Sequence, residues 1–273
     1  MSENKRNGTQ NARERLKEQR ERDKAREKQR RVLIVSAAVV GVLGLAAVVG
    51  VIAAGGDKKS GSDKAGPVVA PTAATNEDGK PAIPTGKADA PSTLAVWEDF
   101  RCPACAQFEN VMRDTVHELQ ASGALKVDYH LATLIDGNMG GSGSLRAANA
   151  AACAQDAGKF TAYHDTLYVN QPPETDDAYG KNAKLIELAA KVPGLDTPAF
   201  RSCVNDGTHD GWVKKSHEAF QNGGFRGTPS VLLNGESIFP TKGNEQISPA
   251  NLKKWVAEAN KGKKPGTASP SGS

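Results

Sequence analysis

Phe100-Arg101-Cys102-Pro103-Ala104-Cys105 is the stretch on which the reading of this chain turns. Before it, Thr93-Leu94-Ala95-Val96-Trp97 is short, apolar and partly β-branched, which predicts a strand. After it, Phe108, Val111, Met112, Val116 and Leu119 recur on one face of a helix. The Cys-x-x-Cys pair thus falls where a strand ends and a helix begins. At that junction the free N–H groups and the positive end of the helix dipole stabilise a thiolate, the reactive form of cysteine. Pro103 suits the first turn, which needs no N–H from it. Cys102 is the candidate nucleophile, and Cys105, one turn inward, the candidate resolving thiol. The same spacing also serves a purely structural disulfide or a zinc site. A zinc ribbon would want a second Cys-x-x-Cys or a Cys/His pair. Cys153 and Cys203 stand far apart, with no histidine near either at ligand spacing, so no metal is expected.

The 273 residues carry a net charge of +4, spread unevenly. Residues 1–31 hold twelve basic and six acidic side chains, against 23 and 25 in the remainder. The basic excess belongs to the tail alone, and no nucleic-acid partner is expected for the main domain. This tail lacks the apolar positions for a core and reads as a charged cytoplasmic segment. Residues 32–54 are an uncharged apolar run, 23 residues that would span about 35 Å as a helix against a hydrocarbon core of about 30 Å. Basic residues crowd its N-terminal side, so the positive-inside rule places everything after Ala54 outside the cytoplasm. The expectation is a single-pass anchor in the cell membrane; a cleavable signal peptide is the alternative, although the run is longer than a usual apolar core of one.

Residues 55–90, rich in Gly, Pro, Ala, Ser and Thr, read as a flexible linker, with Ala82-Ile83-Pro84 as a possible edge segment of the domain. The folded part is expected over 91–262. A second strand follows at Leu125–Leu131, then a loop with four glycines between 137 and 143. A mainly helical block runs over about 138–222, broken by Pro172-Pro173. Strand character returns at Ser230–Leu233, and Asn234-Gly235 predicts a tight hairpin back through Glu236–Phe239. Ser248 caps a last helix that has Pro249 at its first position and Leu252, Trp255, Val256 and Ala259 as its apolar stripe. The end, 263–273, reads as a disordered tail. The five histidines (His117, His130, His164, His209 and His217) read as surface or packing residues.

The order strand, helix, strand, helical block, hairpin, helix resembles the thioredoxin fold, an α/β fold, here with an inserted helical domain. Trp97 to Cys105 with Phe108-Glu109, Gly227-Thr228-Pro229-Ser230-Val231, and Cys153 followed by Phe160, Tyr163-His164-Asp165 and Leu167-Tyr168 resemble the DsbA-like thiol-disulfide oxidoreductases. The likeness is greatest to the membrane-anchored actinobacterial forms. The resemblance implies Cys102 and Cys105 as the catalytic pair, supported by Pro103, Thr228 and Pro229, with Pro229 the cis proline that faces them. It implies exported, cysteine-containing client proteins, a quinone-linked membrane partner that re-oxidises the pair, and no bound cofactor. A reductase or isomerase of the same fold, or a non-catalytic binding module, are the alternatives. Two departures stand out. Ala104 occupies the place where strong oxidants often carry His, and Val96 lies six before Cys102, where some members are acidic. The resemblance and the even cysteine count together imply a Cys153–Cys203 bridge, with two free buried thiols as the alternative. Such a bridge would stabilise the fold by up to ~4 kcal/mol in the chain-entropy model.

Overall fold

The computed structural model describes residues 67–268. The charged tail and the expected membrane span at 32–54 lie outside the described residues, as does the first part of the linker. Among the described residues no helix is long and apolar enough to cross a membrane. The chain runs β1 (Thr75–Glu77), β2 (Lys80–Gly86), β3 (Thr93–Glu98), α1 (Pro103–Ala121) and β4 (Lys126–Leu131), then enters the helical segment. That segment comprises α2 (Leu134–Met139), α3 (Gly143–Asp156), α4 (Phe160–Val169), a 3-10 turn at Ala178–Gly180, α5 (Asn182–Ala189), α6 (Pro198–Asp206) and α7 (Asp210–Asn222). The chain returns through β5 (Ser230–Leu233) and β6 (Glu236–Ser237), a small ribbon of β7 (Thr241–Lys242) and β8 (Glu245–Gln246), and α8 (Pro249–Ala259).

The main sheet is six-stranded in the order β1-β2-β4-β3-β5-β6. Strands β3 and β4 are parallel, joined across α1, while β5 runs antiparallel to β3. Alternation along β3 divides its side chains between two faces. Leu94 and Val96 join the main core with Phe108, Met112 and Val116 of α1, whereas Trp97 packs with Ala132 and Phe220 of α7. Asn234 and Gly235 both have positive φ, 52° and 86°, which gives the β5–β6 turn the twist a two-residue hairpin needs. The Ser248 side chain accepts from the N–H of Asn251 at the start of α8. Ser248→Ala is expected to cost ~1 kcal/mol of stability, read as a lower urea midpoint; an unchanged midpoint would remove the cap from the account.

The folded domain extends beyond the expected 91–262 at both ends. Strand β2 lies inside the stretch read as linker and pairs with β4, with Ala82 and Ile83 buried. With β1 paired on its other side, it is not an edge strand. Its two buried apolar side chains are too few to stand out among Pro, Gly and Thr, and only β4 gives the segment its backbone partners. At the other end Gly266 is buried, its N–H bonded to the Gly123 carbonyl. The Asp89 carboxylate accepts from the N–H groups of Thr267 and Ala268. The polar composition of that tail concealed a docking made almost wholly by backbone. β6 is also shorter than expected, ending at Ser237, although the Ile238 N–H still bonds the Val231 carbonyl.

Candidate active site

Cys102 is the N-cap residue of α1, and Pro103 opens the helix. The corner before it is held by Asp99, whose carboxylate accepts from the N–H of Arg101 at 2.8 Å and of Ile135 at 2.9 Å. Burial pushes Asp99 up to about 7 despite those bonds. Arg101, 3% exposed, reaches Asp136 at 2.6 Å, Asp177 at 3.2 Å, and the carbonyls of Gly140 and Glu174. The glycines of this loop are needed for that approach. A Cβ on Gly143 would lie 2.4 Å from an Asp177 oxygen, where the carboxylate now accepts the Gly143 N–H. From the helical segment, Gln171 donates its side-chain amide to the carbonyls of both Phe100 and Cys102.

The two thiols are free and differently placed, Cys102 being 7% exposed and Cys105 fully buried. The Thr228–Pro229 peptide is cis, and the Thr228 carbonyl lies 3.2 Å from Cys102 Sγ. That carbonyl contact suits a thiol, whereas the donors around the sulfur suit a thiolate. The donors prevail: a hydrogen bond from Cys105 is the largest influence and, against the opposing effect of burial, the Thr228 side chain and the N–H groups of Cys105 and Ala104 add to it. Cys102 is lowered to about 6. Burial, then the hydrogen bond and charge of Cys102, raise Cys105 well above its ordinary range. At neutral pH the pair is therefore one thiolate beside one thiol. Iodoacetamide is expected to modify Cys102 with a midpoint near pH 6; a midpoint at the free-thiol value of about 8.5 would show that the Cys105 thiol and the other donors around the sulfur do not act on it.

Beside the buried Cys105 lies a cluster of charged residues that nothing in their sequence spacing joins. Glu98 follows Leu94 and Val96 on the core face of β3 and is fully buried. Its Oε1 lies 2.9 Å from Nε2 of buried His164 on α4. Glu109 of α1 completes the group, with ligand atoms of all three within 4.8 Å of one another. Burial acts against a charged imidazole, but the Glu98 charge and hydrogen bonds to Asp165 and Glu98 push His164 up to about 10. Burial first, opposed by His164 and aided by Glu98, drives Glu109 well above the carboxylate range. Strand alternation was the available signal, because an acid at position 98 continues the face of Leu94 and Val96.

The other histidines also depart in part from a bland reading. His130 is a packing residue, stacked on Trp97 at 3.9 Å and lowered to about 4 by burial. His209, however, engages Asp156 at 2.9 Å and lies beside Cys153 and Cys203. The expectation that no histidine accompanies those cysteines is corrected by the fold, which brings α3, α6 and the start of α7 together. Cys153 and Cys203 are joined by a disulfide between α3 and α6.

A family model described as thioredoxin matches residues 78–258. The chain is 27% identical over 158 residues to the probable disulfide bond formation protein D of Bacillus cereus, which covers 57% of this chain and 71% of that protein. Oxidised DsbA from Mycobacterium tuberculosis superposes with a TM-score of 0.56 at 28% identity, covering 65% of this chain and 92% of the other. The reduced disulfide bond oxidoreductase DsbG from the same organism gives a TM-score of 0.56 at 28% identity, covering 65% and 86%.

Proposed function

This chain belongs to the thioredoxin family, and on that premise we propose that it introduces disulfides into exported proteins through Cys102 and Cys105. It is a thiol-disulfide oxidoreductase of the DsbA-like kind. The observation that carries the finer reading is the asymmetry of the pair, with Cys102 at the helix N-terminus facing Thr228 and Cys105 sealed in the core. In the oxidised enzyme a client thiolate attacks Cys102 Sγ. The Cys102–Cys105 bond breaks and a mixed client–Cys102 disulfide forms. The displaced Cys105 thiolate, strongly disfavoured by burial, takes up a proton. A second client thiolate then attacks the client sulfur and expels Cys102, a good leaving group because its thiolate is stable. The client is oxidised by two electrons and the pair is left as thiolate and thiol. Stabilising this reduced form is what makes a dithiol pair oxidising.

We place the domain outside the cytoplasm, tethered by residues 32–54, on the apolar run and the basic residues before it. A quinone-linked membrane protein would accept the two electrons, as relatives of this kind imply. Ala104 in place of His supports the rival direction, a reductase or isomerase, since one source of thiolate stabilisation is missing. The equilibrium of the full chain with glutathione buffers distinguishes the two. A potential near about −120 mV supports the disulfide donor, and one near about −270 mV overturns it in favour of a reductase.

A further inference from the structure

Cys153 near the end of α3, Cys203 in α6 and His209 at the N-cap of α7 offer ligand atoms that all lie within 4.8 Å of one another. Asp156, three residues beyond Cys153 on α3, brings Oδ2 to 2.9 Å from His209 Nε2. Asp156 itself is held in place, since its Oδ1 accepts from both the N–H and the hydroxyl of Thr72. His209 Nδ1 lies 2.9 Å from the carbonyl of Val69. A carbonyl can only accept, so Nδ1 donates in that bond, and Nε2 is the ring nitrogen turned toward the carboxylate and the sulfurs' side of the cluster. A cavity of about 180 Å3, lined by Cys153, Asp156, Phe200 and Cys203 among others, opens beside the sulfurs.

From this arrangement we infer that Cys153, Cys203 and His209, with Asp156 beside the histidine, bind a zinc ion when the disulfide between the two cysteines is reduced. Disulfide and zinc are then alternative staples between α3 and α6. Two thiolates and an imidazole form a donor set suited to zinc rather than to calcium or magnesium, with the fourth position left to a water or to Asp156. The Val69 carbonyl on Nδ1 is the outer partner that orients a ligating histidine. The Cα atoms of the two cysteines are 5.9 Å apart, so side-chain rotation makes room for an ion without moving the helices. In the switching step a dithiol reductant gives two electrons and two protons to Cys153 and Cys203 and becomes a cyclic disulfide. Zinc binding then releases both thiol protons.

The test uses the full-length chain with Cys102→Ser and Cys105→Ser, so that the other pair takes up no metal. It is reduced with a phosphine, its two thiols are counted, and bound zinc is measured by elemental analysis after gel filtration. About one zinc per chain is expected for the reduced protein and none for the oxidised protein. His209→Ala in the same background, with both thiols free, is expected to weaken binding by more than about tenfold. Cobalt in place of zinc should show thiolate-to-metal charge-transfer absorption. The inference is overturned if the reduced, folded chain holds no more zinc than the oxidised one. Unchanged zinc affinity in the His209 variant overturns it too, as does loss of the near-ultraviolet circular dichroism on reduction with zinc present.

Discussion

Cys102→Ser is expected to abolish disulfide transfer, and Cys105→Ser to leave Cys102 linked to its clients. The first change removes the only sulfur of the pair that solvent reaches, since Cys105 is fully buried. Serine cannot form the mixed disulfide, so the covalent route is lost, a drop of about 10³-fold or more in oxidation of a two-cysteine peptide. The second change leaves Cys102 at the helix terminus, where its thiolate attacks a disulfide already formed in a client and expels one client sulfur as thiolate, but removes the Cys105 thiol that would displace the client still attached. Mixed disulfides should then accumulate as adducts that run at higher mass and collapse on reduction. Their absence with a folded Cys105→Ser protein in cells would sink the oxidoreductase reading for this pair. Full transfer by the Cys102→Ser protein would move the chemistry elsewhere.

His164→Leu is expected to destabilise the domain by ~3–5 kcal/mol at pH 7, because it strands the buried Glu98 carboxylate without its partner. Leucine fills the aromatic surroundings of Phe100, Tyr129, Phe160 and Tyr168, so the loss is chiefly electrostatic. The pH dependence follows from the raised folded-state value. A histidine at about 10 in the fold and 6.5 in the unfolded chain contributes stability that is fully present below pH 6.5 and fades as pH rises toward 10. Urea midpoints of the wild type and the variant should therefore converge between pH 7 and pH 10. Adding Glu98→Gln to the variant should recover much of the loss, since no buried charge is then unpaired. A constant gap across that pH range, with no recovery in the double variant, would mean that His164 matters for packing alone.

Short-range chemistry made much of this molecule legible. A strand, a Cys-x-x-Cys and an amphipathic helix in succession set the site at a helix N-terminus, and Asn234-Gly235 and Ser248-Pro249 marked a hairpin and a helix start within a few residues. Each of those signals is a matter of backbone propensity or of spacing no longer than a helix turn. The apolar run at 32–54 is equally a property of sequence alone.

Tertiary structure decided the rest. β2 exists because β4 supplies its hydrogen bonds, and the tail to Ala268 is ordered by Gly123 and Asp89. The Glu98–His164 pair joins residues 66 positions apart, and His209 meets Asp156 across 53. A glutamate or a histidine carries no local mark of the partner it will meet. A buried charge is tolerated only where the folded chain supplies its counter-charge, and that condition is met in three dimensions rather than along the sequence.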